Sequence, residues 1–227
     1  MTRTRVIFIF MTSIFLLCSA AMGHDGFFGR DNSSGRMSGG LATADACGAR
    51  TGYLGGFVGL GDNSTSVFGS YTYGLSKYTE GRLKLGLSDP EENPDQNHNI
   101  GILFGADLKY EFMDHQNPST KAPFDMDAGG SLEFARVNGG SVFELGGNLI
   151  GSIPYRFHSG NKIVPYMIIN VRLERFSSSH SSSHSSDLEG GMNLGAKFEF
   201  SDDLNLYGEF QLDGTMFFFT GIEFRAF

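Results

Sequence analysis

Between residues 100 and 113 the chain alternates without a break. Ile100, Ile102, Phe104, Ala106, Leu108, Tyr110 and Phe112 share one parity, and Gly101, Leu103, Gly105, Asp107, Lys109, Glu111 and Met113 share the other. A period of two places the two sets on opposite faces of one extended strand, where a helix would need apolar residues three and four apart. Nine further segments repeat the pattern, at 51–61, 67–76, 82–88, 124–134, 143–157, 163–174, 188–200, 204–213 and 216–227. Leu83, Leu85 and Leu87 stand against Arg82, Lys84 and Ser88; Met192, Leu194 and Ala196 stand against Glu189, Asn193 and Lys197. A chain built this way is all-β. Several segments exceed the five or six residues of an ordinary strand and approach the roughly 9–11 needed to cross a membrane at a tilt.

Turn chemistry separates the segments. Asn138-Gly139-Gly140, Ser159-Gly160-Asn161, Asp202-Asp203 and Asp213-Gly214 are short hairpin signals. Pro165 falls inside the seventh segment, where it costs a ladder bond or marks a bulge. With 32 Gly and no long helix-forming run, the composition agrees with strands and tight turns. The mean hydropathy of -0.14 matches a soluble protein, but transmembrane strands alternate and average out in the same way.

Residues 1–23 read as a secretory leader. Arg3 and Arg5 precede an apolar stretch over 6–17 that is too short to span a bilayer, and Ala21-Met22-Gly23 offers small residues for cleavage before His24. Lipidation of Cys18 is the alternative, disfavoured by the bulky Leu17 before it. Cleavage would leave Cys47 as the only thiol, so no internal disulfide is expected. The net charge of -8 falls to about -10 once Arg3 and Arg5 leave with the leader, which argues against nucleic acid as a partner. Residues 24–50, rich in Gly, Ser, Asp and Asn and without periodicity, read as a flexible segment.

The last segment puts Met216, Phe218, Thr220, Ile222, Phe224 and Ala226 on one parity and Gly221, Glu223 and Arg225 on the other. A final strand ending in an aromatic residue resembles the closing strand of bacterial outer-membrane β-barrels. The resemblance implies a barrel whose last strand pairs with its first, leaving no edge. It also implies recognition of that strand by the barrel assembly machinery. Phe227 departs from the pattern, standing one residue out of step with Ile222 and Phe224.

Alternation alone does not say which face is outside; a lipocalin-like exported barrel would turn the apolar face inward. The export signal and closing strand favour lipid outside. So do the apolar-parity aromatics at the ends of the even segments: Tyr71 and Tyr73, Tyr110 and Phe112, Tyr155 and Phe157, Phe198 and Phe200, then Phe224. In an up-and-down barrel those ends share one rim and form a belt. The opposite face carries charge on most segments. Its acids include Asp107, Glu111, Asp125, Asp127, Glu133, Glu144, Glu174, Glu189, Glu199, Glu209 and Glu223, and its bases Arg82, Lys84, Lys109, Arg156, Arg172, Lys197 and Arg225. They form either a salt-bridged plug, since eight to ten strands leave little bore, or a narrow cation-favouring pore.

Two further patterns carry chemistry. The repeat over 177–184 sets His180 and His184 four apart, a spacing that ligates Zn or Ni, against the plainer reading of a solvated low-complexity loop. The family this chain resembles includes barrel enzymes, omptin proteases and lipid A-modifying enzymes among them, and some of these place His with Ser or Asp near the outer rim. His98, His180 and His184 fall in outward loops, but no motif of those enzymes surrounds them.

The expectation is therefore a closed antiparallel up-and-down transmembrane β-barrel over 51–227, with ten strands, or eight as the alternative. It sits in the outer membrane in contact with outer-membrane lipid, as a monomer without metal or cofactor. Its role is structural, surface-interacting or narrowly transporting rather than enzymatic.

Overall fold

The computed structural model describes residues 42–61, 64–90, 100–117, 122–137, 140–178, 184–212 and 216–227, without the side chains of residues 90, 137, 178, 184 and 185. The expected leader, residues 24–41, His98 and His180 lie outside them, as do the turn residues Asn138, Gly139, Asp213 and Gly214.

Among the described residues the elements are β1 (Gly52–Gly61), β2 (Ser64–Gly74), β3 (Thr79–Pro90), β4 (Gly101–Met113), β5 (Asp125–Val137), β6 (Gly140–Ser152), β7 (Tyr155–Arg156), β8 (Lys162–Ser178), β9 (His184–Ser201), β10 (Leu204–Leu212) and β11 (Met216–Arg225). Successive strands pair antiparallel, and β1 closes on β11 from Tyr53↔Arg225 to Gly61↔Phe217. The result is a closed ten-stranded antiparallel up-and-down barrel. β7 is not an eleventh stave. It continues β6 in the same register on β8, since Ser152 faces Tyr166 and Tyr155 faces Ile163. The ladder breaks where two prolines meet it. Ile153 N–H donates to the Pro165 carbonyl at 3.1 Å, but Pro165 has no N–H to return, and Pro154 has none either. Pro165 thus costs a ladder bond and introduces no register shift.

The parity is the one the sequence carries, with its apolar set outside. Leu83, Leu85 and Leu87 are more than half exposed, whereas Lys84 between them is 2% exposed. From Ile102 to Phe112 is ten residue steps. At about 3.3 Å per residue and a tilt of about 40°, that gives a band about 25 Å tall, the height of a membrane barrel's apolar zone.

The rim where β1 begins and β11 ends, called here the near rim, carries the expected aromatic belt. Tyr71 and Tyr73 stack at 6.4 Å, Phe198 and Phe200 meet at 4.4 Å, and Phe157 reaches Phe198 at 6.4 Å. Phe227 joins the belt, and the expectation from its parity fails for a local reason. The strand ends at Arg225, Ala226 N–H donates to the Gly52 carbonyl, and Gly52 N–H donates to the Phe227 carbonyl. The Phe227 ring then lies over Gly52 on the outer face, 6.5 Å from Tyr71 and 6.1 Å from Tyr73. Only glycine admits that approach, because a Cβ at position 52 would sit 2.7 Å from Phe227 Cζ.

Candidate functional site: the filled bore

Most strands send a polar parity inward, so many of the buried residues are charged or amide-bearing. Burying them requires partners, and the bore provides these in layers.

In the far half, Arg172 is the hub. Its Nε lies 2.6 Å from Glu174 and 3.7 Å from Glu144, its Nη2 lies 3.1 Å from Glu189, and its Nη1 donates to Asn170 at 3.2 Å. At mid-height, Lys84 bridges Asp107 at 2.9 Å and Glu133 at 3.2 Å. Glu209, fully buried, accepts from Tyr166 Oη at 2.8 Å, Asn193 Nδ2 at 3.1 Å and Gln211 Nε2 at 2.8 Å.

Aromatic rings fill the β1–β2–β11 side. Phe57 stacks on Phe68 at 5.2 Å and meets Tyr207 at 5.9 Å, and Phe219 lies 6.1 Å from Phe68. Inward glycines make room for these rings. A Cβ at Gly221 would collide with Phe57, one at Gly86 with Phe68, and one at Gly195 with the Tyr166 ring.

The near half is closed by the chain itself. Residues 42–50, the end of the segment expected to be flexible, make contacts inside the mouth. Gly48 and Arg50 both take positive φ, turning the chain beside Gly74. Cys47 N–H then donates to Glu80 at 2.8 Å, Ala46 N–H to Glu111 at 3.1 Å and Ala44 N–H to Ser152 at 3.2 Å. Lys109 donates to the carbonyls of Thr43 and Asp45 while its Nζ holds Glu80 at 3.2 Å and Asp127 at 3.6 Å. Asp45 reaches Lys162 on β8 at 3.4 Å. The segment therefore touches β2, β3, β4, β6 and β8. A strand-free stretch would be costly in an apolar core, but a bore lined with carboxylates and ammonium groups satisfies its backbone directly.

Beside it, reaching Ser201 and Asp202 at the near rim, lies a polar cavity of about 250 Å³, lined among others by Asp45, Tyr53, Arg82, Lys197, Glu199 and Glu223. Lys197 pairs with Glu199 at 2.8 Å, and Tyr207 donates to Glu223 at 2.7 Å. Cys47 also faces this cavity; burial first, then the neighbouring Glu80 carboxylate, push its thiol up to about 12.

Of the inward charges expected from sequence, all lie on the bore side except Arg156. It keeps the parity but sits exposed in β7, past the rim. Glu80, Lys162 and Asp45 were not expected there. Their positions at strand ends or outside strands gave no alternation to read. At the near rim Asp114, His115 and Asp125 bring ligand-type atoms within 4.8 Å of one another. Asp125 Oδ1 accepts from His115 N–H at 2.6 Å and pairs with His115 Nδ1 at 2.7 Å, which clamps the β4–β5 connection. His184 lies at the start of β9, and its side chain and His180 are outside the described residues, so the 177–184 pair is not placed.

No protein-family model matches the chain, and no curated protein matches it either. Solved structures do. The β domain of the Bordetella autotransporter BrkA is similar at 12% identity and a TM-score of 0.48, over 78% of this chain and 99% of that one. The KdgM porin is similar at 9% identity and a TM-score of 0.39, over 76% of this chain and 98% of that one. The N-terminal β-barrel domain of Pseudomonas aeruginosa OprF is similar at 16% identity and a TM-score of 0.32, over 78% and 98%.

Proposed function

We propose that the protein is a non-conducting outer-membrane barrel with a structural or surface-interacting role, sealed by its own segment 42–47 and by salt bridges across the bore. One observation carries this reading. The segment bonds to both walls of the mouth, Cys47 and Ala46 to β3 and β4 on one side and Asp45 to β8 on the other. The bore's cations also lie against carboxylates, as Arg172, Lys84 and Lys109 each do. In this reading the barrel is an anchor and carries out no catalysis, and its closing strand is what the assembly machinery recognises.

Narrow passive transport of cations is the second reading. The excess of acids over bases on the bore wall and the cavity at the near mouth favour it. Planar-bilayer recording separates the two. The sealed barrel gives no steady current at moderate voltage. Stable, cation-selective steps from the intact protein would reject the anchor and establish the pore.

A further inference from the structure

The outer wall is almost free of charge. Among the described side chains of the ten barrel strands, only Asp89, Arg136 and Arg175 place a charged group on the outward parity. Both cations lie toward the far rim, on β5 and β8, on either side of β6. The registers set the neighbouring residues in three rows. The lowest is Leu132↔Leu145↔Leu173↔Leu188. Above it runs Phe134↔Phe143↔Arg175↔Ser186, and above that Arg136↔Ser141↔Ser177↔His184. The wall thus passes within two residue steps from unbroken leucine to arginine and serine, and among the described residues it does so at this one sector.

Both arginines are exposed, and neither has an ion-pair partner among the described residues. An outward cation is costly at the bilayer midplane and nearly free at the interface, so these two stand at headgroup depth. Two strand spacings apart and offset by one pair step, their Cα atoms are roughly 12 Å apart, close enough for two guanidinium groups to hold a single headgroup. Arginine matches phosphate oxygens bidentately, and three serine hydroxyls beside it suit a sugar. The Leu row continues downward as a surface for acyl chains.

We infer that this sector binds the phosphorylated sugar headgroup of an outer-leaflet glycolipid, with Arg136 and Arg175 on phosphate and the four leucines under its acyl chains. The inference rests on the far rim facing outward, and so on the outer-membrane reading above. The β8–β9 hairpin, with strands of 17 and 18 residues, is the longest and rises from that rim, as outward hairpins of such barrels do.

The test uses full-length protein, refolded and titrated in phosphatidylcholine nanodiscs, with bound lipid counted by native mass spectrometry. The probes are bisphosphorylated lipid A, chemically dephosphorylated lipid A and phosphatidylglycerol. Each arginine near a charged surface is worth about fivefold, so R136Q/R175Q should weaken lipid A binding on the order of 25-fold. Dephosphorylated lipid A should bind the wild type no better than lipid A binds the variant. Unchanged heat-modifiable gel mobility shows that the variant is folded, which is expected for two exposed rim positions. Undiminished lipid A binding by the folded variant would overturn the inference. So would phosphatidylglycerol binding as tightly as lipid A, which would reduce the sector to nonspecific surface charge. Conduction in the bilayer experiment, by contrast, would reject the sealed-bore reading and leave this one standing.

Discussion

Arg172→Met removes a cation from beneath three carboxylates. The Arg172 side chain is 3% exposed, and those of Glu174, Glu189 and Glu144 are 6%, 6% and 8% exposed, so solvent screens the group little. Deleting one partner of such a buried pair costs about 3–5 kcal/mol, most of it from the charges left behind. Methionine keeps the unbranched stem and most of the volume, so the loss is mainly electrostatic rather than a cavity. That origin has a consequence of its own. Neutralising two of the acids in R172M/E174Q/E189Q should recover most of the loss, because two of the three carboxylates that faced Arg172 then carry no charge. The assay is reversible urea unfolding in lipid vesicles, followed by circular dichroism at constant pH and salt. R172M within 1 kcal/mol of wild type would show that the far half of the bore is hydrated enough to screen its charges. A triple variant no more stable than R172M would show that the carboxylates are not the source of the cost. Either result would refute the description of this layer as a set of mutually dependent ion pairs.

Two further outcomes follow from the same bore. Gly195→Val drives a side chain into the Tyr166 ring and displaces its hydroxyl from Glu209, so it should destabilise by about 1–3 kcal/mol in the same unfolding assay, while Gly208→Val, which meets open space, should be close to neutral. The Cys47 thiol, held up at about 12, carries almost no thiolate at pH 8, so maleimide labelling of the folded protein should be slow. Because Glu80 stabilises the protonated form, Glu80→Gln should lower that value and speed labelling; an unchanged rate would mean that the segment does not sit beside Glu80.

How much of this was legible in sequence depends on how locally each feature is encoded. The faces of β3, β5 or β9 need only the next residue but one, so Lys84, Glu133 and Asn193 could be placed in the bore without knowing any partner. Strand ends were legible where turn residues marked them, and the count of ten follows from the segments between. Segment 42–47 was not legible. Its bonds run from backbone N–H groups to side chains such as Glu80, Glu111 and Ser152, far away in the chain, and no composition rule encodes them. The inward rings of Phe57, Phe217 and Phe219 were hidden as well, because β1 and β11 are apolar on both parities in their far halves. Their signal was glycine. Gly55, Gly59, Gly61 and Gly221 share the inward parity, and each leaves the volume an inward ring occupies. Phe227 defied its parity because pairing stops at Arg225, a boundary that alternation cannot show.

The central claim is that the leucine parity faces lipid and the charged parity faces the bore. The chain contains no tryptophan, so a single introduced one reports its own surroundings. Leu85 is 63% exposed at the middle of β3, and Phe57 is 2% exposed inside the bore. Quenching by brominated phosphatidylcholine requires contact between the indole and the acyl chain. Refolded Leu85→Trp should be strongly quenched, and Phe57→Trp should keep its emission. Quenching at position 57 with none at position 85 would mean that the barrel is apolar within and polar without, and would contradict the account at its root.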